Sequence, residues 1–200
     1  MTASTFVLVR HAPHAWQGTR LVGRAPGVPL APDATHALAR LAARLRHERI
    51  DAVHASPLQR AQETAQVVSA VVRRPVETVE ALTEVDFGAW TGVDVTALAD
   101  DPAWRRWCTD KGTARAPGGE SVQEVQARVV AHARAVHARA PGSRTVLVSH
   151  GDPLRTLVAH AIGLAPGAID RLALDPASVS VVALDDGGGA LLSLNDGGDA

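Results

Sequence analysis

The sequence predicts an α/β domain, a three-layer α/β/α sandwich with a mostly parallel central sheet. Two short apolar runs, Phe6-Val7-Leu8-Val9 and Val146-Leu147-Val148, each end on a polar step, Arg10-His11 and Ser149-His150-Gly151. Apolar runs of this length, closed by loop signals, read as strands buried on both faces, and an open parallel sheet places its ligand site just past such strand ends. Strand-like and helix-like stretches also alternate along the chain, as expected when helices cover both faces of one sheet.

After the first strand, Asp33 to His47 carries Leu38, Leu41, Ala42 and Leu45 at helical spacing, with Asp33 as the expected N-cap. Ala52-Val53-His54-Ala55 is the second strand. Ser56-Pro57 then supplies an N-cap Ser and an N1 Pro for a helix from about Pro57 to Val72, with Arg60 in its first turn. Pro75 to Val79 is the third strand, and Thr96 to Cys108 forms one or two short helices broken by Pro102. Ser121-Val122-Gln123-Glu124 is a capping box that opens a long helix reaching His137. Thr145 to Ser149 is a strand and Pro153 to Ile162 a helix. Val179 to Leu184 and Leu191 to Leu194 are closing strands separated by Gly187-Gly188-Gly189. No repeat or linker interrupts the chain, so residues 1–195 are expected to form one domain and residues 196–200 a frayed tail.

Composition sets bounds on function. At 46% hydrophobic and 3% aromatic residues, the core must be mostly Ala, Val and Leu. A formal net charge of -1 offers no general field for nucleic acid or an acidic membrane surface. No long apolar span or charged signal segment precedes the first strand, so the expectation is a cytoplasmic enzyme that engages neither membrane nor nucleic acid. A single cysteine, Cys108, permits no internal disulfide, which fits a reducing compartment.

A histidine held just past a strand end can keep one ring nitrogen free, and neutral imidazole is a competent nucleophile near neutral pH. The adjoining Arg10 suggests an anionic substrate, because a guanidinium fork matches phosphate geometry. Alone, Arg10-His11 would equally suit a polar strand end. Arg60, at a helix start near the strand ends, would add a second guanidinium to the same anion. Leu82-Thr83-Glu84-Val85-Asp86-Phe87-Gly88-Ala89-Trp90-Thr91-Gly92 is a glycine-punctuated loop with two carboxylates, either of which could move a proton. His11 and His14 have an H-x-x-H spacing, but a loop pair without a third nearby ligand makes a poor zinc site. His36, His47, His54, His132, His137 and His160 receive no role.

Together these stretches resemble, in order and over nearly the whole chain, the histidine phosphatase superfamily, also called the phosphoglycerate mutase-like family. Arg10-His11-Ala12 stands where that family has Arg-His-Gly. Ser56 to Ala65 matches its Ser-Pro-Leu-x-Arg-Ala-x-x-Thr-Ala segment, Leu82 to Gly92 its Leu-x-Glu-x-x-x-Gly-x-Trp-x-Gly loop, Pro117 to Ser121 its Pro-Gly-Gly-Glu-Ser segment, and Ser149 to Gly151 its Ser-His-Gly. The resemblance implies that His11 is the phosphorylated residue and Glu84 the proton donor. It implies that Arg10, Arg60 and protonated His150 hold the phosphoryl group, with Gln17 and Gly151 also binding phosphate, and that no metal or cofactor takes part. Ala12 replaces the usual Gly, and Gln17 stands where the family often has Asn.

The implied activity is that of a phosphoric monoester hydrolase of the histidine acid phosphatase type, acting on a small-molecule phosphate monoester. The implied course is attack by His11, protonation of the leaving oxygen by Glu84, and hydrolysis of the phosphohistidine. A phosphomutase is the alternative, because Trp104-Arg105-Arg106-Trp107 resembles a segment whose arginines hold the far end of the substrate in phosphoglycerate mutases. Against it, the stretch from there to Pro117 is short and the chain has no Tyr, where the resembling mutases have a longer insertion and a Tyr after the catalytic Glu. A second alternative is a noncatalytic phosphate-binding module, which would be expected to have lost one of His11, Arg60, Glu84 or His150. The likeness extends best to compact, often bacterial, members known only as phosphatases or phosphomutases. It leaves a homodimer open.

Overall fold

A computed structural model describes residues 2–197. Its strands are β1 (Ser4–Arg10), β2 (Ala52–Ala55), β3 (Val76–Thr78), β4 (Arg144–Ser149), β5 (Val179–Asp185) and β6 (Gly188–Asp196). Its α-helices are α1 (Thr35–Leu45), α2 (Gln59–Val72), α3 (Pro102–Thr109), α4 (Val122–Arg139) and α5 (Gly151–Ala161). The six strands form one sheet in the order β3-β2-β4-β1-β5-β6. β3, β2, β4 and β1 run parallel, and the β5–β6 hairpin joins antiparallel at the β1 side.

Strand side chains alternate between two cores, as a pleat with both faces covered requires. Phe6, Leu8 and Leu147 enter a core with α4 and α5, while Val7, Val9, Val146 and Val148 enter one with α1 and α2. Aliphatic side chains dominate both cores. Four of the six aromatic residues, Phe87, Trp90, Trp104 and Trp107, form one cluster within the first of these cores, at the Leu82–Gly92 loop. There Trp107 meets Phe87 at 5.7 Å and Trp90 at 6.1 Å between ring centroids, and Trp104 meets Trp90 at 5.4 Å.

The capping box expected at Ser121 is present, with the Ser121 hydroxyl accepting from the Glu124 amide and the Glu124 carboxylate accepting from the Ser121 amide. Pro102 opens α3, which Asp101 caps through the Ala103 amide. Two expected caps differ. Residues 32–34 form a backbone turn and Ala34, already helical at φ -62°, ψ -12°, stands at the N-cap of α1 instead of Asp33. α2 begins at Gln59 with extended Leu58 at its N-cap, so Ser56 and Pro57 lie before the helix and the Ser56 side chain is free for another partner. The expected fraying at Asp196 also fails, because Asp196 pairs with Val179 at the end of β6 and accepts from Arg44 Nε at 2.6 Å. Of the expected tail, residues 198–200 lie outside the described residues. Among the described residues no helix is long and apolar enough to cross a membrane.

Trp107 is 1% exposed at the centre of the aromatic cluster. Trp107→Ala should therefore destabilise the fold by about 3–5 kcal/mol, because the surrounding rings cannot collapse into the space. A chemical-denaturation midpoint within error of the wild type would show that the cluster does not anchor this loop.

Candidate active site at the strand ends

The carboxyl ends of β1, β4 and β2 carry His11, His150 and Ser56, and His11 lines a cleft of about 200 Å³ there. His11 is 2% exposed. Its amide donates to the Ser149 carbonyl at 2.9 Å, so the strand pairing of β1 with β4 extends to the histidine itself. Its Nδ1 lies 2.7 Å from the Ala12 carbonyl, which can only accept, so Nδ1 carries the proton and Nε2 presents its lone pair. The Ala12 amide donates to Thr64 Oγ1 at 3.0 Å, and Thr64 in turn donates to the Arg60 carbonyl at 2.8 Å. Ala12 is not among the residues with positive φ, so the Cβ that replaces the family's Gly adds no backbone strain.

Arg60 is 1% exposed. It points Nε at His11 Nε2 from 3.4 Å and donates Nη2 to the Gly23 carbonyl at 2.8 Å. Arg10 donates Nη1 to the Leu174 carbonyl at 2.5 Å. Among the described residues neither guanidinium has a carboxylate at ion-pair distance, and Arg60 Nη1, Arg10 Nε and His150 Nδ1 are buried with no hydrogen-bond partner. Unsatisfied donors at one buried place are costly unless an anion completes them. His150 Nε2 lies 2.7 Å from Ser56 Oγ, which accepts from the Leu58 amide at 3.3 Å. Among the described residues Nε2 is the one acceptor within reach of the Ser56 hydroxyl proton, so the hydroxyl donates to Nε2 and leaves the His150 proton on the unpartnered Nδ1. The His150 ring packs 5.1 Å from that of His11, and His14 lies 5.3 Å from it on another side.

The electrostatics follow from burial among cations. Burial first, and then the Arg60 charge, push His11 and His150 well below the ordinary histidine range. The same causes bring His14 down to about 4. His11 is thus neutral, as a nucleophile must be. Without a ligand, burial and then the Arg60 charge favour a neutral His150 ring, where the resemblance implies an imidazolium on a bound phosphoryl group. Burial also lowers Arg10 and Arg60 from the ordinary arginine value. Glu84 moves the other way: burial, and then the nearby Asp152 carboxylate, push it up to about 7. Its Oε1 accepts from the Val85 amide at 3.0 Å, and its loop is tied to β4 where Ser149 Oγ donates to the Leu82 carbonyl at 2.6 Å.

Of the residues expected from sequence, Arg10, His11, Gln17, Arg60, Glu84 and Gly151 line the cleft, and His150 packs against His11 behind it. Arg105 does not join them. It is exposed on α3, bound to the Asp100 carboxylate at 2.5 Å and the Ala99 carbonyl at 2.9 Å, while the flanking Trp104 and Trp107 pack into the aromatic cluster. Sequence reasoning missed Asp152 and Arg155, which line the cleft as a pair joined at 3.1 Å. Their signal was the spacing after Gly151, since Arg155 falls one helical turn further along α5.

The chain belongs to the histidine phosphatase superfamily (branch 1), whose profile matches residues 6–197. Phosphoserine phosphatase 1 of Hydrogenobacter thermophilus is 30% identical over 164 residues, covering 79% of this chain and 76% of that protein. A probable phosphoglycerate mutase GpmB of an Enterobacter species is 34% identical over 160 residues, covering 78% and 74%. Among solved structures, Bacillus stearothermophilus YhfR superposes with a TM-score of 0.89 at 26% identity, covering 97% of this chain and 98% of that one. The alpha-ribazole phosphatase of Shigella flexneri superposes with a TM-score of 0.86 at 26% identity and 98% coverage of both chains.

A carboxyl whose pKa rises on folding binds its proton more tightly in the folded state, so ionising it opposes folding. For Glu84 that penalty builds from the ordinary value of 4.5 up to about 7 and is complete above it. Glu84→Gln should therefore stabilise the protein by about 1–3 kcal/mol at pH 8 and change it little at pH 4. Equal melting-temperature shifts at both pH values would contradict a buried, proton-retaining Glu84.

Proposed function

We propose that this protein is a phosphomonoesterase that hydrolyses a small phosphorylated metabolite through a phosphohistidine on His11, with Glu84 as proton donor. The observation that carries the proposal is the gathering of three buried, unpartnered donors, on Arg10, Arg60 and His150, near a neutral His11 whose unprotonated Nε2 receives a long contact from Arg60 Nε at 3.4 Å. A tetrahedral dianion would complete those donors and place phosphorus against that nitrogen.

In the first step His11 Nε2 bonds to phosphorus as the ester P–O bond breaks in line, and Glu84 gives its proton to the departing oxygen. In the second, the Glu84 carboxylate takes a proton from water, the resulting oxygen attacks phosphorus, and the P–N bond breaks to return neutral His11 and inorganic phosphate. The two steps use the two protonation states of one carboxyl, which suits a group poised at about 7. Arg10, Arg60, the His150 Nδ1–H and the start of α5 at Gly151 would bind the nonbridging oxygens throughout. Gln17 and Arg20, on the cleft wall, would face the remainder of the substrate. A volume of about 200 Å³ lies below the range typical of sites for drug-sized ligands, which favours a small metabolite.

Hydrolysis is favoured over phosphate return to substrate because the Trp104–Trp107 segment, the mutase-like feature of the sequence, contributes no lining residue to the cleft and serves packing and surface pairing. A noncatalytic module would have no use for a carboxyl held at about 7 beside a neutral imidazole.

A rapid quench with phosphate-labelled substrate should leave label on the protein that is stable to base and lost in acid. His11→Ala should abolish both the label and turnover. Label persisting in that variant would remove His11 from the nucleophile's role.

A further inference from the structure

We propose that Glu120 is a positioning residue for Glu84, acting by locking Arg24 and Arg128 onto the Glu84 backbone carbonyl. This rests on the reading of Glu84 as proton donor. Glu120 touches neither the cleft nor the reacting atoms, and it sits in the Pro117–Ser121 segment to which the chemistry above gives no task.

Two guanidiniums from distant parts of the chain meet on one carbonyl oxygen. Arg24 Nε donates to Glu84 O at 3.0 Å and Arg128 Nη2 donates to the same oxygen at 3.1 Å. Two cations on one carbonyl repel each other unless a carboxylate lies between them. Glu120 supplies it: Oε2 forms an ion pair with Arg24 Nη2 at 2.9 Å and accepts from Arg128 Nη2 at 3.1 Å, and Oε1 accepts from Arg128 Nε at 3.0 Å. Glu120 Oε2 also accepts from the Asp86 amide at 3.1 Å, and the Glu120 amide donates to the Asp86 carbonyl at 2.8 Å. Arg128 is anchored in turn through Nη1 to the Ala81 carbonyl at 2.7 Å, so the clamp grips the acid's loop on both sides of Glu84.

The glycines of both segments make this grip close enough. A Cβ on Gly119 would come within 2.1 Å of the Asp86 carbonyl oxygen, and one on Gly88 within 2.1 Å of the Pro117 carbonyl oxygen. The two loops therefore dock backbone against backbone, and Ala89 donates across the seam to Pro117 O at 2.9 Å. Glu120 and Arg128 are largely withdrawn from water, at 20% and 19% exposed, so their pairing is screened less than a surface bridge, while Arg24, at 35%, closes the clamp on its outer side. A carboxyl that must deliver a proton to one oxygen needs its backbone fixed to a fraction of an ångström, and an ion-pair clamp one residue layer away can do this.

The test compares single-turnover phosphoryl transfer from an alkyl phosphate, whose alkoxide needs a proton to leave, with transfer from nitrophenyl phosphate, whose anion leaves unaided. Glu120→Gln should slow the alkyl reaction about 10–100-fold while leaving the nitrophenyl reaction within about 3-fold. Arg128→Lys, which keeps the charge and loses the fork, should show the same selectivity and serves if Glu120→Gln does not fold. Inorganic phosphate should bind both variants with wild-type affinity. In a Glu84→Gln background, Glu120→Gln should cost nothing further with the alkyl substrate. Equal losses with both substrates, or a full additional loss in the double variant, would overturn the proposal. If Glu84→Gln alone slows both substrates equally, the proton-donor reading fails and this inference with it. If Glu84→Gln is selective and Glu120→Gln is not, only this inference fails.

Discussion

Everything at the strand ends is governed by the crowding of positive charge in a buried cleft. Arg10 and Arg60 enter low-dielectric surroundings with no carboxylate at ion-pair distance among the described residues, each held by a backbone carbonyl, Leu174 O for one and Gly23 O for the other. A carbonyl restrains a guanidinium without neutralising it, so the charge remains available to a ligand. The other titratable groups respond to that field. Burial and then the Arg60 charge keep histidines 11, 14 and 150 neutral, while burial and the nearby Asp152 carboxylate hold the proton on Glu84 against the opposing pull of Arg60 and Arg10. A site arranged this way opposes folding when empty and gains when an anion binds, a common cost of preorganised electrostatics.

The rest of the molecule supplies the offsetting stability and the geometry. Continuous burial of β1 and β4 fixes the two histidines relative to each other, because the β1–β4 pairing runs through Arg10 and Ser149 to the residues that follow them. The aromatic cluster performs the same service for the loop of Glu84. A chain with so few large rings places Phe87, Trp90, Trp104 and Trp107 together beneath that loop, where rigid side chains limit its motion.

What could be read from the sequence was local. The capping box at Ser121 and the strand ends at His11 and His150 each depend on residues a few positions apart, and each appeared where expected. Ser56 shows the limit. Its sequence context is that of an N-cap, but a bond to His150, 94 positions away, takes its hydroxyl instead. Arg105 shows the reverse case, a charged residue in a suggestive setting that a nearby carboxylate, Asp100, holds on the surface. Asp152 could be seen in the sequence, but its effect on Glu84 could not, since that depends on which two loops face each other across the cleft.

The central claim is that the cleft keeps His11 neutral with its proton on Nδ1 and Nε2 open to the substrate. Nitrogen-15 spectra of the histidine side chains of the unliganded protein at pH 6, assigned with His11→Ala, measure this directly. The account predicts a neutral His11 ring with a protonated Nδ1 and an Nε2 shift characteristic of an unprotonated nitrogen, where an ordinary histidine would be largely charged. An imidazolium at His11, or a proton on Nε2, would contradict it.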